Sequence, residues 1–176
     1  MSPGISLCLR RRGQVFLDRG LGYADLESQR LLTPRTPVCL FSASKSITAM
    51  LVHHLVEQGN VNLDDPVIRY LPAYGQQGKG DTTLRHLLTH RAGIPRPDQP
   101  VEPDILFRPR EILDLLCAAR PTAFGAQAYH AITAGFVLGA VVEAVTGESL
   151  NATLDRVIRK PDRKSTRLNS SHVLSS

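Results

Sequence analysis

The sequence predicts an α+β fold in which an N-terminal β-hairpin is followed by a series of helices. Two runs rich in β-forming residues come first, at residues 5–10 and 14–23. The later apolar segments repeat at helical spacing. The chain has 176 residues, of which 42% are hydrophobic and 21% are charged, so it fits one domain of ordinary composition.

The hairpin is the first predicted element. Arg12 and Gly13 separate its two strands, and glycine supplies the positive φ that a tight turn needs. The Thr-Pro pairs at residues 33–34 and 36–37 then keep the chain extended, because the residue before a proline avoids the α region. The next element is therefore expected to start later.

The helical part begins with the most regular pattern in the chain. From Ala43 the apolar residues recur at helical spacing as far as Gly59, which suits a C-terminal cap. A short helix is expected after Asp64-Asp65-Pro66, because proline and carboxylates favour a first turn. Another helix contains Leu84, is capped by Thr82 or Thr83, and ends at Gly93.

The second half of the chain predicts a loop and three more helices. Closely spaced prolines between Pro95 and Pro109 exclude regular structure there. The helices are predicted over residues 109–119, 129–145 and 150–158.

Charge and hydropathy exclude several function classes. The net charge is +5, and basic residues cluster only at residues 10–12, so no nucleic-acid partner is expected. The apolar stretch 131–142 is shorter than the roughly 20 residues that span a bilayer. The apolar run at residues 5–9 precedes its arginines, the reverse of a secretory signal. A cytoplasmic location is the expectation, unless the N-terminus is incomplete.

No cofactor or metal is expected. Cys8, Cys39 and Cys117 lie far apart and are interpreted as buried free thiols. His86 and His90 have the i, i+4 spacing of two metal ligands on a helix, but no obvious third ligand accompanies them.

The residues Ser42-Ala43-Ser44-Lys45 form an S-x-x-K motif at the start of the 43–59 helix. Residues three apart on a helix share one face, so the ammonium of Lys45 can reach the hydroxyl of Ser42. A serine hydroxyl needs a neighbouring base to become a good nucleophile, and a desolvated lysine amine is such a base. The helix N-terminus also favours an oxyanion. The alternative is a serine that merely caps the helix.

Five stretches in one order resemble a known family. They are Pro3-Gly4-Ile5-Ser6, Gly22-Tyr23-Ala24-Asp25, Phe41-Ser42-Ala43-Ser44-Lys45-Ser46-Ile47-Thr48-Ala49, Leu63-Asp64-Asp65-Pro66 and Leu84-Arg85-His86-Leu87-Leu88-Thr89-His90-Arg91-Ala92-Gly93-Ile94. The pattern is similar to that of the β-lactamase-related serine hydrolases, which include class C β-lactamases, penicillin-binding-protein-type DD-peptidases and related esterases. The resemblance implies a β-lactamase/transpeptidase-like fold whose later strands join the hairpin in one sheet.

The same resemblance implies three catalytic residues. Ser42 is the acylated nucleophile, Lys45 is its partner, and Tyr129 matches the tyrosine of the family's Tyr-x-Asn motif. A tyrosine can shuttle the proton between the serine and the leaving group. Here the motif reads Tyr129-His130-Ala131, and the missing amide favours ester hydrolysis over β-lactam hydrolysis. His130 is interpreted as structural, with a catalytic role as the alternative.

The resemblance covers about residues 3–161, and residues 1–161 are interpreted as the N-terminal portion of a serine hydrolase domain. Residues 162–176 are rich in serine and resemble translated adapter or vector sequence, so they are interpreted as an adventitious tail, with a genuine disordered tail as the alternative. The family's third motif, Lys-Thr-Gly or a relative of it, does not occur in these 176 residues. We expect the natural gene to continue past residue 161.

The sequence therefore predicts a serine hydrolase that acts on a small-molecule ester or amide through an acyl-enzyme. The alternative is a catalytically incompetent fragment or a non-catalytic member of the same family. The oligomeric state is left open.

Overall fold

The computed structural model describes residues 3–161. The predicted adventitious tail, residues 162–176, lies outside the described residues. The chain forms two compact units, of which the first is a sheet before residue 40 and the second is helical.

The sheet contains the predicted hairpin and one short additional strand. Its antiparallel order is β1 (Gly4–Arg11), β2 (Gln14–Asp25) and β3 (Arg30–Leu31). Both turn residues between β1 and β2 have positive φ, with values of 50° at Arg12 and 80° at Gly13, as a two-residue hairpin turn requires. The two-residue strand β3 has no period-2 pattern and was not predicted from the sequence.

Up to residue 161, the helical unit has five α-helices, which are α1 (Ser44–Glu57), α2 (Leu84–Leu88), α3 (Pro109–Ala118), α4 (Thr133–Thr146) and α5 (Leu150–Leu154). Helix α4 packs against α1, α2, α3 and α5 and is buried along much of its length. Its C-terminus carries the predicted glycine cap, because Gly147 adopts a left-handed conformation. The core is apolar and includes Leu51, Val52, Leu55, Leu84, Leu87, Ile112, Leu116, Val137, Val141, Val142 and Leu154.

Two predicted helices differ in extent from the observed ones. The helix predicted over residues 129–145 begins only at Thr133, and the N–H groups of Ala128 and His130 donate to His90 in the irregular segment before it. The helix expected after Pro66 is only a 3₁₀ turn, Val67–Arg69, because Pro72 keeps the preceding Leu71 out of the α region.

Smaller corrections concern loops and thiols. The proline-rich stretch predicted to lack regular structure contains a 3₁₀ helix, Pro103–Phe107, and α5 continues as a π-helical turn, Asp155–Arg159. The interpretation of all three cysteines as buried is wrong for two of them. Cys8 and Cys39 are exposed, whereas Cys117 is buried, and all three are free thiols.

No single helix among residues 3–161 has the length and hydropathy to cross a membrane. Thr133–Thr146 and Leu150–Arg159 pass that test only as a pair, and a bend of 79° separates them.

Candidate active site

Ser42 lies in a 3₁₀ turn, Phe41–Ala43, that leads directly into α1. The preceding Phe41 has a positive φ of 44°, a conformation that non-glycine residues rarely adopt and that concentrates at functional sites. Ala43 is the N-cap of α1, and no side chain caps the helix there. The interpretation of Ser42 as an ordinary capping serine is therefore wrong, and its hydroxyl makes other contacts.

The structure brings together all three predicted site residues. The phenol of Tyr129 donates to Oγ of Ser42 at 2.6 Å, and Nζ of Lys45 donates to the same oxygen at 3.4 Å. Nζ of Lys45 also lies 5.3 Å from the centre of the Tyr129 ring. Ser42 and Tyr129 are exposed, so a reactant can approach the hydroxyl.

The surroundings of Tyr129 make its phenol more acidic than that of a free tyrosine. The pKa of Tyr129 is lowered, first by the hydrogen bond with Ser42 and then by Lys45. Ser42 also lies at the N-terminal end of the 14-residue helix α1, where the helix dipole favours negative charge. The cluster thus combines a hydroxyl, two groups that can carry its proton, and a field that favours an oxyanion.

His90 is close to this cluster, although its spacing from His86 pointed only to a pair of metal ligands. Its ring centre lies 5.1 Å from that of Tyr129. The pKa of His90 is lowered by partial burial and then by the positive charge of Lys45. The only sequence signal for this position was its place in the Leu-Leu-Thr-His stretch, which spacing alone does not connect to Tyr129.

His130 is buried, and both ring nitrogens have backbone partners. Its Nε2 accepts from the N–H of Ile94 at 3.0 Å, so the ring proton lies on Nδ1, beside the carbonyl of Ala128. Burial lowers the pKa of this imidazole. These contacts agree with the structural interpretation of His130.

The residues described here offer no metal site. No group of three or more His, Cys, Asp or Glu side chains is placed to hold a metal ion in this part of the chain. Nδ1 of His86 accepts from the backbone of its own N-cap, Thr83, and His90 lies beyond the end of α2. The two histidines therefore do not share a helix face.

A cavity of about 660 Å³ opens beside Lys45, and it is lined by residues of α1, α3 and α4. Neither Ser42 nor Tyr129 is among its described lining residues. The cavity is thus adjacent to the cluster but does not contain the serine hydroxyl.

The chain is similar to several known proteins. The family model Beta-lactamase matches residues 1–172. The esterase/beta-lactamase LipL of Mycobacterium tuberculosis is 29% identical over 158 residues, which cover 90% of this chain and 37% of LipL. A penicillin-binding protein homolog from Caulobacter crescentus superposes with a TM-score of 0.83 at 29% identity, over 90% of this chain and 43% of that one. A family VIII carboxylesterase gives a TM-score of 0.75 at 30% identity, over 80% of this chain and 39% of that one.

The chain spans less than half the length of each of these three relatives. The predicted α+β, β-lactamase/transpeptidase-like fold is confirmed by the similarity to the solved structures. The match of the family model covers nearly the whole sequence. This chain therefore belongs to the beta-lactamase family, whose members include hydrolases that are esterases and β-lactamases.

Proposed function

We propose that the whole protein carrying this chain is a serine hydrolase that forms an acyl-enzyme on Ser42 and prefers esters to β-lactams. The observation that supports this proposal most strongly is the shared hydrogen bonding of Oγ of Ser42, with the phenol of Tyr129 at 2.6 Å and the ammonium of Lys45 at 3.4 Å. A hydroxyl with two proton-carrying partners is the arrangement that nucleophilic catalysis needs.

The proposed reaction has two halves. Oγ of Ser42 attacks the ester carbonyl while its proton passes to Tyr129, in its ionised form, with Lys45 stabilising the phenolate. The tetrahedral oxyanion expels the alcohol, which takes up the proton from Tyr129 and leaves an acyl group on Ser42. Water then attacks the acyl-enzyme, the same groups move its proton, and the carboxylic acid is released.

The preference for esters is supported by the residue two positions after Tyr129. Ala131 stands where the family motif has asparagine, and alanine has no amide to hydrogen-bond the side-chain carbonyl of a β-lactam. Two relatives, LipL and the family VIII carboxylesterase, carry esterase names.

A second candidate is a protein that keeps the fold without hydrolysis. It is favoured by Ala131 and by the lack of a Lys-Thr-Gly sequence in these 176 residues. For the chain as given, which lacks that third motif, we infer no turnover.

The test uses the whole protein, with p-nitrophenyl butyrate and a chromogenic cephalosporin as substrates. We expect ester turnover that falls by at least about 10⁴-fold in Ser42→Ala, because the nucleophile is lost. Ser46→Ala is the matched control and should retain wild-type turnover, since Ser46 is an exposed serine in the first turn of α1, close to Ser42 in the sequence. Ester turnover that survives in Ser42→Ala would contradict the proposal. Absence of all turnover in the wild-type protein would support the second candidate.

A further inference from the structure

Tyr129 lies in an irregular segment before α4, and the residues on either side of it are hydrogen-bonded to His90. The N–H of Ala128 donates to the backbone carbonyl of His90 at 3.0 Å. The N–H of His130 donates to Nδ1 of the His90 ring at 3.2 Å. One residue thus accepts hydrogen bonds from both sides of Tyr129.

The backbone of His90 is folded so that it can do this. Its φ is +60°, in the left-handed region that few non-glycine residues enter, and histidine and asparagine are among those enriched there. The N–H of His90 donates to the carbonyl of Leu87 at 3.2 Å, and the N–H of Arg91 donates to the carbonyl of His86 at 2.7 Å. These bonds end α2 and turn the carbonyl and the ring of His90 toward residues 128–130.

The residues that follow His90 continue the same attachment. The carbonyl of Arg91 accepts from the N–H of Gly125 at 3.0 Å. The N–H of Ile94 donates to the ring of His130 at 3.0 Å. Residues 90–94 are therefore hydrogen-bonded to residues 125–130 at several points. Of these residues, His90 contacts the neighbours of Tyr129 on both sides.

We propose that His90 is a positioning residue that holds the phenol of Tyr129 at Ser42, through the acceptor Nδ1 of its ring and through its carbonyl. This inference rests on the proposed function for its kinetic consequence only. The proton of the neutral ring lies on Nε2, because Nδ1 accepts the N–H of His130. Displacing a proton carrier by about 1 Å can cost about 100-fold in rate.

The test exploits the difference between two amides. In His90→Asn the side-chain oxygen takes the place of Nδ1, and asparagine tolerates a positive φ. In His90→Gln the amide lies one bond further out and cannot reach the N–H of His130 in the same way. In the whole protein we expect kcat for the ester to fall by about 10- to 100-fold in His90→Gln and by less than about threefold in His90→Asn. KM should be unchanged in both variants.

A second readout does not depend on hydrolysis. The alkaline absorbance titration of Tyr129, obtained as the difference between each protein and its Tyr129→Phe form, should shift to higher pH in His90→Gln, because the phenol loses the hydrogen bond to Ser42 that lowers its pKa. His90→Asn should titrate like the wild type. If the wild-type protein proves inactive, this titration still tests the role of His90, so failure of the proposed function and failure of this inference are distinguishable.

Thr89→Val is the control for a general loss of stability at the C-terminal end of α2, next to His90. The hydroxyl of Thr89 donates to the carbonyl of Arg85 at 2.7 Å, within α2 and its C-cap, so this change affects only local stability. We expect a lower thermal midpoint with wild-type kcat and tyrosine titration. Equal kcat and equal titration in His90→Asn and His90→Gln, whether both are retained or both are impaired, would overturn the proposal.

Discussion

Along β1 the side chains of Ile5, Leu7 and Leu9 lie on one face of the sheet, and they are 58%, 41% and 50% exposed. Along α4, by contrast, Val137, Leu138, Val141 and Val142 are at most 4% exposed. Both elements have the apolar periodicity of a core-facing element, but only the helical one has described residues packed over its apolar face. The cluster around Ser42 therefore belongs to a well-packed helical unit, whereas the described residues leave one apolar face of the sheet largely exposed.

After loss of the Ser42 nucleophile itself, the largest expected effect comes from removing the hydroxyl of Tyr129, because this tyrosine carries the proton of Ser42 in the proposed mechanism. Tyr129→Phe should slow acylation of the whole protein by about 10²- to 10⁴-fold. Tyr23→Phe makes the same chemical change on β2 and should leave the rate unchanged. Stopped-flow acylation by p-nitrophenyl butyrate measures both variants. Equal acylation rates in Tyr129→Phe and Tyr23→Phe would show that the hydroxyl of Tyr129 has no special role in acylation.

The pH dependence of acylation gives a related prediction. The pKa of Tyr129 is lowered by Ser42 and Lys45, so its ionised, proton-accepting form becomes populated below the ordinary tyrosine pKa of about 10. The acylation rate should therefore rise with pH, with a midpoint below that value. Tyr129→Phe should lack this rise. A pH-independent rate in the wild-type protein would show that ionisation of Tyr129 is not used.

Core substitutions should separate the two regions in stability. Leu116→Ala removes a fully buried side chain of α3 and should lower the free energy of unfolding by about 2–5 kcal/mol, through lost burial and a new cavity. Leu9→Ala removes a half-exposed side chain of β1 and should change it by less than about 0.5 kcal/mol. Urea unfolding of this chain, followed by far-ultraviolet dichroism, measures both. A larger loss from Leu9→Ala would contradict the comparison.

Buried Lys79 is expected to contribute to the stability of the helical unit. Its side chain is fully buried, and Nζ donates to the carbonyls of Cys117 at 2.8 Å and Ala119 at 2.5 Å, at the C-terminal end of α3. Lys79→Met leaves both carbonyls without this donor, so unfolding should become easier by about 1–3 kcal/mol. Lys160→Met, at an exposed lysine, should change stability little. The same urea titration distinguishes the two.

The smallest effect on stability is expected on the sheet. Leu7→Lys places a charge on the uncovered face of β1 and should reduce self-association of this chain while changing the free energy of unfolding by less than about 0.5 kcal/mol. Ser6→Lys adds the same charge to the opposite face and should reduce association less. Sedimentation velocity over a range of concentrations measures this difference. Equal behaviour of the two variants would show that the apolar face does not drive association.

The parts of the fold that depend on local sequence were predictable. The hairpin follows from two β-rich runs around Arg12 and Gly13, and α1 follows from its apolar repeat. Ser42 and Lys45 are three residues apart, so their contact follows from helix geometry alone. The position of Tyr129 came only from the family resemblance, because no local rule joins residues that are 87 apart.

Other features of the fold depend on tertiary contacts, which no local sequence pattern predicts. A lone lysine is ordinarily exposed, so the burial of Lys79 under two carbonyls was not predictable. The irregular segment before α4 was not predictable either, because its N–H groups at Ala128 and His130 donate to His90, which is remote in the sequence. The hydrogen bonds between His90 and the residues on either side of Tyr129 therefore arise from the packing of the helical unit.

The most direct measurement is the mass of the covalent intermediate. The whole protein is mixed with a serine-directed fluorophosphonate or with p-nitrophenyl butyrate, quenched, digested, and mapped by mass spectrometry. We expect the phosphonyl or butyryl group on Ser42, with about 10²- to 10⁴-fold slower labelling in Tyr129→Phe. Labelling at another residue, or labelling of Ser42 at an unchanged rate in Tyr129→Phe, would contradict the assignment of Ser42 as a nucleophile activated by Tyr129.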